Sequence, residues 1–143
     1  MPIANPPDDF DDLSFDEDTG QFSSNVVWNG EATELNFCME ESQLSHGKRT
    51  AQRLMQNQSK WQGKAENLAA RKLRRLRNRD WRGDDEPSLS QGEFKSRLGL
   101  MSISIYPKNR FSFWYDDGGL FAGHIIEIRG SLFWGLTSAD LMG

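Results

Sequence analysis

Between Phe111 and Ile128 the chain reads FSFWYDDGGLFAGHIIEI, and Asp116, Asp117 and His124 are the residues in it most suited to chemistry. A carboxylate beside an imidazole orients a general base or shares a divalent metal. Two carboxylates and one histidine fall short of a filled ligand set, and His124 follows Asp117 by seven residues at the start of an apolar run. The same residue types also build turns, because Asp accepts hydrogen bonds from nearby backbone and Gly takes positive φ. The stretch is therefore expected to be strand, turn and strand, with catalysis at Asp116, Asp117 and His124 as the alternative.

Other catalytic signatures are missing. The serines have no G-x-S-x-G elbow around them, and neither G-x-x-x-x-G-K-[ST] nor G-x-G-x-x-G occurs. Cys38 is the only cysteine, which excludes an intramolecular disulfide and a thiolate cage. It alternates with apolar neighbours and is expected to be packed, while His46 is expected on the surface. No metal or cofactor is implied.

The charge is segregated. Residues 1–18 carry seven acidic side chains and no basic one, whereas residues 43–82 hold twelve Lys and Arg against Glu66 and Asp80. A segment of +10 in a chain of −4 leaves −14 for the remainder, so internal charge balance is the first expectation. The alternatives are an acidic protein partner, or nucleic acid bound through Arg71, Lys72, Arg74, Arg75, Arg77 and Arg79. With no basic start, no apolar leader and no span of roughly 18 apolar residues, a cytoplasmic protein without membrane contact is expected.

The elements that position these residues follow from periodicity. Residues 1–12 read as an acidic flexible arm and 13–143 as one domain. Leu13 and Phe15, then Phe22 to Trp28, alternate as strands around the turn-forming DEDTGQ. Asn29-Gly30 tolerates the positive φ of a tight hairpin, and Thr33 to Met39 is expected to pair back. The period then changes to about 3.6. Leu44, Ala51, Leu54, Met55 and Gln58 trace a first helix, which Gly47 weakens near its start. Trp61, Ala65, Leu68, Ala69, Leu73 and Leu76 trace a second, with its arginines facing solvent.

Ser90-Gln91-Gly92-Glu93 has capping-box spacing and opens a short third helix, expected to end at Leu98 with Gly99 left-handed. Leu100 to Tyr106, Phe111 to Tyr115, His124 to Arg129 and Leu132 to Trp134 follow as strands, with turns at PKNR, DDGG and Gly130-Ser131. The predicted fold is α+β: a mostly antiparallel sheet from two meanders, with a central helical hairpin and a short third helix packed on it.

Trp28-Asn29-Gly30, Trp61, Trp81 before Gly83-Asp84-Asp85-Glu86-Pro87, and the closing SISIYPKNRFSFWYDDGGLFAGHIIEIRG resemble the bacterial family called domain of unknown function 2262. The closing block is the specific part, and the resemblance spans roughly residues 13–143. It implies a stand-alone bacterial cytoplasmic domain and supplies no catalytic residues. Gly119 and Ala122 stand where the family pattern has a carboxylate and a large aromatic.

Function is read as non-catalytic interaction or regulation of a protein partner. The expected contacts are Trp114, Phe121 and Trp134 at an aromatic end and Arg71, Arg74 and Arg75 on the basic helix.

Overall fold

A computed structural model describes residues 13–142; the expected arm at 1–12 lies outside the described residues. Seven strands form one sheet in chain order: β1 (Ser14–Asp16), β2 (Gln21–Trp28), β3 (Glu31–Phe37), β4 (Gly99–Tyr106), β5 (Arg110–Asp116), β6 (Ile125–Ser131) and β7 (Gly135–Met142). All neighbours are antiparallel except β3 and β4, which pair in parallel. Two meanders are thus joined edge to edge, and parallel neighbours need a long connection. Three helices supply it: α1 (Leu44–Gln56), α2 (Gln58–Leu76) and α3 (Gln91–Ser96). The α+β expectation holds.

The local signals act as their chemistry requires. Asn29 and Gly30 take φ of 47° and 85°, which turns β2 into β3. Ser90 Oγ accepts from Glu93 N at 3.2 Å while Glu93 Oε1 accepts from Ser90 N at 2.9 Å, completing the capping box. Gly47 is buried, and a Cβ there would lie 2.5 Å from Met39 Sδ, so it serves as a close-approach point between α1 and the end of β3.

One face of the sheet carries the core. Trp28, Leu35, Phe37, Ile103, Ile105, Phe111, Phe113, Tyr115, Ile126 and Ile128 are all buried beneath the helices. Burying each large side chain contributes roughly 1.5–3 kcal/mol. Trp61 of α2 meets Phe111 edge-on at 5.2 Å, and Trp28 lies 5.7 Å from Phe113. The opposite face is helix-free and largely polar, with Asn36, Ser102, Ser104, Ser112, Trp114 and Glu127 on it by strand alternation.

A polar chain ties α2 to the sheet. Trp28 Nε1 donates to Gln62 Oε1 at 2.8 Å, Gln62 Nε2 to Glu66 Oε2 at 2.9 Å, and the Tyr115 hydroxyl to the same Glu66 oxygen at 3.3 Å. Burial, reinforced by the Glu66 carboxylate, pushes the Tyr115 phenol well above its ordinary value. The folded protein thus holds this proton more tightly than the unfolded chain. Its contribution is full below about pH 10 and is lost as the pH rises beyond, by roughly 1.4 kcal/mol per pH unit. Urea denaturation between pH 10 and 11 is expected to weaken the wild-type protein more steeply than Tyr115→Phe.

Several expectations are corrected. Gly99 opens β4 instead of closing α3, whose C-cap is Arg97. Gly130 and Ser131 remain in β6, residues 132–134 form the turn, and the last strand is Gly135–Met142. Arg77 is not on a solvated face: it is 2% exposed, in a π-helical turn (Arg77–Trp81) that extends α2. Its guanidinium donates to the Pro87 carbonyl at 3.0 Å and to Glu86 at 3.3 Å, while Asn78 exchanges two hydrogen bonds with the Leu89 backbone. The acidic GDDEP loop is therefore strapped onto the end of α2.

Candidate binding surface

The acidic turn after β5 is built inward. Asp117 is fully buried, and its carboxylate accepts from the backbone N–H groups of Gly119 at 2.8 Å, Phe121 at 2.8 Å and Gly123 at 3.0 Å. Gly118 takes φ +59°, and a Cβ on it would meet the Arg97 carbonyl, whose residue's guanidinium in turn grips the Gly118 carbonyl at 2.7 Å. Asp116 is exposed and accepts weakly from Gly118 N at 3.4 Å.

His124 faces neither aspartate. Its Nδ1 meets the Phe121 carbonyl, and its ring packs edge-on against Trp81 at 5.2 Å. Asp116, Asp117 and His124 therefore do not converge, and among the described residues no group of three His, Cys, Asp or Glu side chains is placed to hold a metal ion. Phe121 is corrected as well. It is fully buried between Trp81 and Phe94, so it belongs to the core and not to an outer contact face.

Trp114 lies half-buried on the open sheet face, its Nε1 donating to Ser104 Oγ at 2.9 Å. Cys38 borders the same face, and burial raises its thiol above the ordinary value despite an opposing hydrogen bond with Ser104. Glu127 accepts from Ser112 Oγ at 2.7 Å and pairs with Arg129 at 3.5 Å. These polar groups are largely satisfied by one another.

The most exposed aromatic pair is elsewhere. Phe133 and Trp134, in the turn between β6 and β7, are 83% and 84% exposed. The turn that carries them is pinned. Ser131 Oγ accepts from Trp134 N at 2.9 Å, Leu132 N donates to the Asn109 carbonyl at 2.9 Å, and Gly135 closes it at φ +73°. Gly130 is pressed against the Gly135 carbonyl, where a Cβ would lie at 2.6 Å. The backbone thus holds two large rings in water, against the usual preference for burying them.

Cations flank the turn on both sides. Toward α1 a hollow of about 460 Å³ is lined by His46, Arg49, Thr50, Arg53, Asn109, Leu132 and Phe133. Toward α2 a second, of about 270 Å³, is lined by Lys64, Asn67, Leu68, Arg71, Gly135 and Leu136. Arg71 continues into a third hollow with Arg74 and Arg75. Among the described residues the ion pairs are Arg77–Glu86, Arg79–Asp80 and Arg129–Glu127. Arg49, Arg53, Lys64, Arg71 and Arg75 are exposed and take part in none of them, although Lys64 also sits 5.9 Å above the Trp61 ring. Arg74 is half-buried and committed to the Leu89 carbonyl at 3.1 Å.

The expected binding residues therefore separate. Arg71 and Arg75 remain available, Arg74 is shared with the fold, and Phe121 is core. Arg49, Arg53 and Phe133 were not singled out as contacts by the sequence. The spacing of His46, Arg49 and Arg53 at i, i+3 and i+7 on α1 was a legible signal. Phe133 had none, because Leu-Phe-Trp reads as strand until the turn is seen.

The profile of a family described as an uncharacterized protein conserved in bacteria, DUF2262, matches residues 7–141. The chain belongs to the DUF2262 family. Within this DUF2262 protein the match spans the whole described sheet up to Leu141, including the turn of Phe133 and Trp134. Neither curated proteins nor solved structures gave a match. No helix among the described residues is long and apolar enough to cross a membrane.

Proposed function

We propose that this DUF2262 protein is a non-catalytic interaction protein whose contact surface is the Phe133–Trp134 turn and the cations on either side of it. The observation that carries the reading is the exposure of the two rings, 83% and 84%, on a turn restrained by two hydrogen bonds, from Trp134 N to Ser131 Oγ and from Leu132 N to the Asn109 carbonyl. A free monomer gains nothing from displaying them, whereas aromatic and Arg side chains are enriched where partners dock. The surrounding Arg49, Arg53, Lys64 and Arg71, unpaired with carboxylates among the described residues, make the partner anionic.

The reading is tested by titrating the protein at low salt with two anionic chains of different chemistry, polyglutamate and a single-stranded oligonucleotide, while following tryptophan emission. At least one is expected to bind and to change the emission, and Trp134→Phe is expected to remove most of that change. If neither chain binds, the proposal fails.

A further inference from the structure

We infer that the hollow between α1 and the aromatic turn is a phosphate subsite, and that the rings beside it stack on bases, so that the partner is a nucleotide chain in single-stranded form. This rests on the reading of the turn as a contact surface and specifies what it contacts.

Arg49 and Arg53 line the hollow together with His46, Asn109 and Phe133. Guanidinium groups bind phosphate oxygens in pairs, with directional N–H donors that suit a tetrahedral anion. At about 460 Å³ the open space admits a phosphate with its sugar, and Phe133 at its edge is 83% exposed and open to a base. Across the turn, Lys64 and Arg71 repeat the charge next to Gly135, so a chain laid over Phe133 and Trp134 meets cations on entering and on leaving.

Alternation of phosphate charge and planar base is what such a surface complements. Stacking on exposed aromatics between cationic flanks is the usual means of holding unpaired bases without reading sequence. An acidic peptide supplies the charge but no regular planar faces. A duplex hides its bases from the rings, and an anionic bilayer would leave the cations inside the hollow without contacts.

The decisive experiment measures fluorescence anisotropy of a labelled twelve-residue oligothymidylate with the full chain at 50 mM salt, beside a duplex of equal length, polyglutamate, phosphatidylserine vesicles and thymidine 5′-monophosphate. The single strand is expected to bind at least roughly tenfold tighter than the duplex. For about four phosphates engaged, the slope of log K against log salt should be close to −3, and Arg49→Ala with Arg53→Ala should lower its magnitude by about 1.4.

The monophosphate is expected to compete. Competition only far above the oligomer's own concentration is the expected result, and competition at that concentration identifies a free nucleotide as the ligand and overturns the inference of a strand. Equal binding of duplex and single strand overturns the inference, as does an affinity unmoved by the double arginine variant. Binding of polyglutamate without the oligothymidylate overturns it while leaving the contact surface standing, and binding of vesicles alone overturns both. Binding of none of the probes overturns both.

Discussion

Asp117→Ala is expected to destabilise the protein by about 3 kcal/mol, since it strips one buried and two partly buried backbone donors of their acceptor. Gly118 cannot relax to compensate, because its φ of +59° and the adjacent Arg97 carbonyl already fix the turn. Asp117→Asn keeps one acceptor oxygen and remains compatible with a turn, so about half the loss is expected. Urea midpoints at unchanged m-value measure both. A loss below about 1 kcal/mol for the alanine variant would mean that the carboxylate does not organise the turn, and would return Asp117 to consideration as a chemical group.

Replacing Phe133 and Trp134 together by serine is expected to have opposite effects on binding and folding. Stability should stay within about 0.5 kcal/mol of wild type, because both rings lie in water and the backbone contacts of the turn survive. Binding should weaken by about 2 kcal/mol or more, roughly thirtyfold, if each ring carries a stacked base. Urea denaturation and anisotropy on the same preparations separate the two effects. A variant that binds as the wild type does would remove the rings from the contact. One that unfolds would show them to be structural despite their exposure.

The contrast between these two turns explains what was legible in the sequence. Phe111, Phe113 and Tyr115 alternate because one face of β5 is core, and Ser90 with Glu93 encode a cap within four residues; both are local relations that a sequence displays. The fate of Asp117 was half legible, since the turn follows from Asp-Asp-Gly-Gly but the inward carboxylate depends on where the N–H groups of Gly119, Phe121 and Gly123 fall.

Residues 132–142 misled for a physical reason. Leu-Phe-Trp has strong strand propensity and Thr-Ser-Ala-Asp has little, yet pairing with β6 makes the second segment a strand, while the Gly130–Gly135 contact makes the first a turn. The parallel pairing of β3 with β4 is equally non-local, with α1, α2 and α3 intervening. Arg77 went astray because helical period alone places it among solvated arginines, whereas the loop from residue 82 to 89 folds back over it.

The central claim, that the turn of Phe133 and Trp134 with its cationic flanks is the surface this protein presents to a partner, is tested most directly by backbone amide NMR during titration with single-stranded oligothymidylate. The predicted shifts cluster at Arg49, Arg53, Leu132, Phe133, Trp134, Gly135 and Arg71. Shifts confined to the open sheet face around Ser104 and Trp114, or to the loop strapped by Arg77, would contradict it.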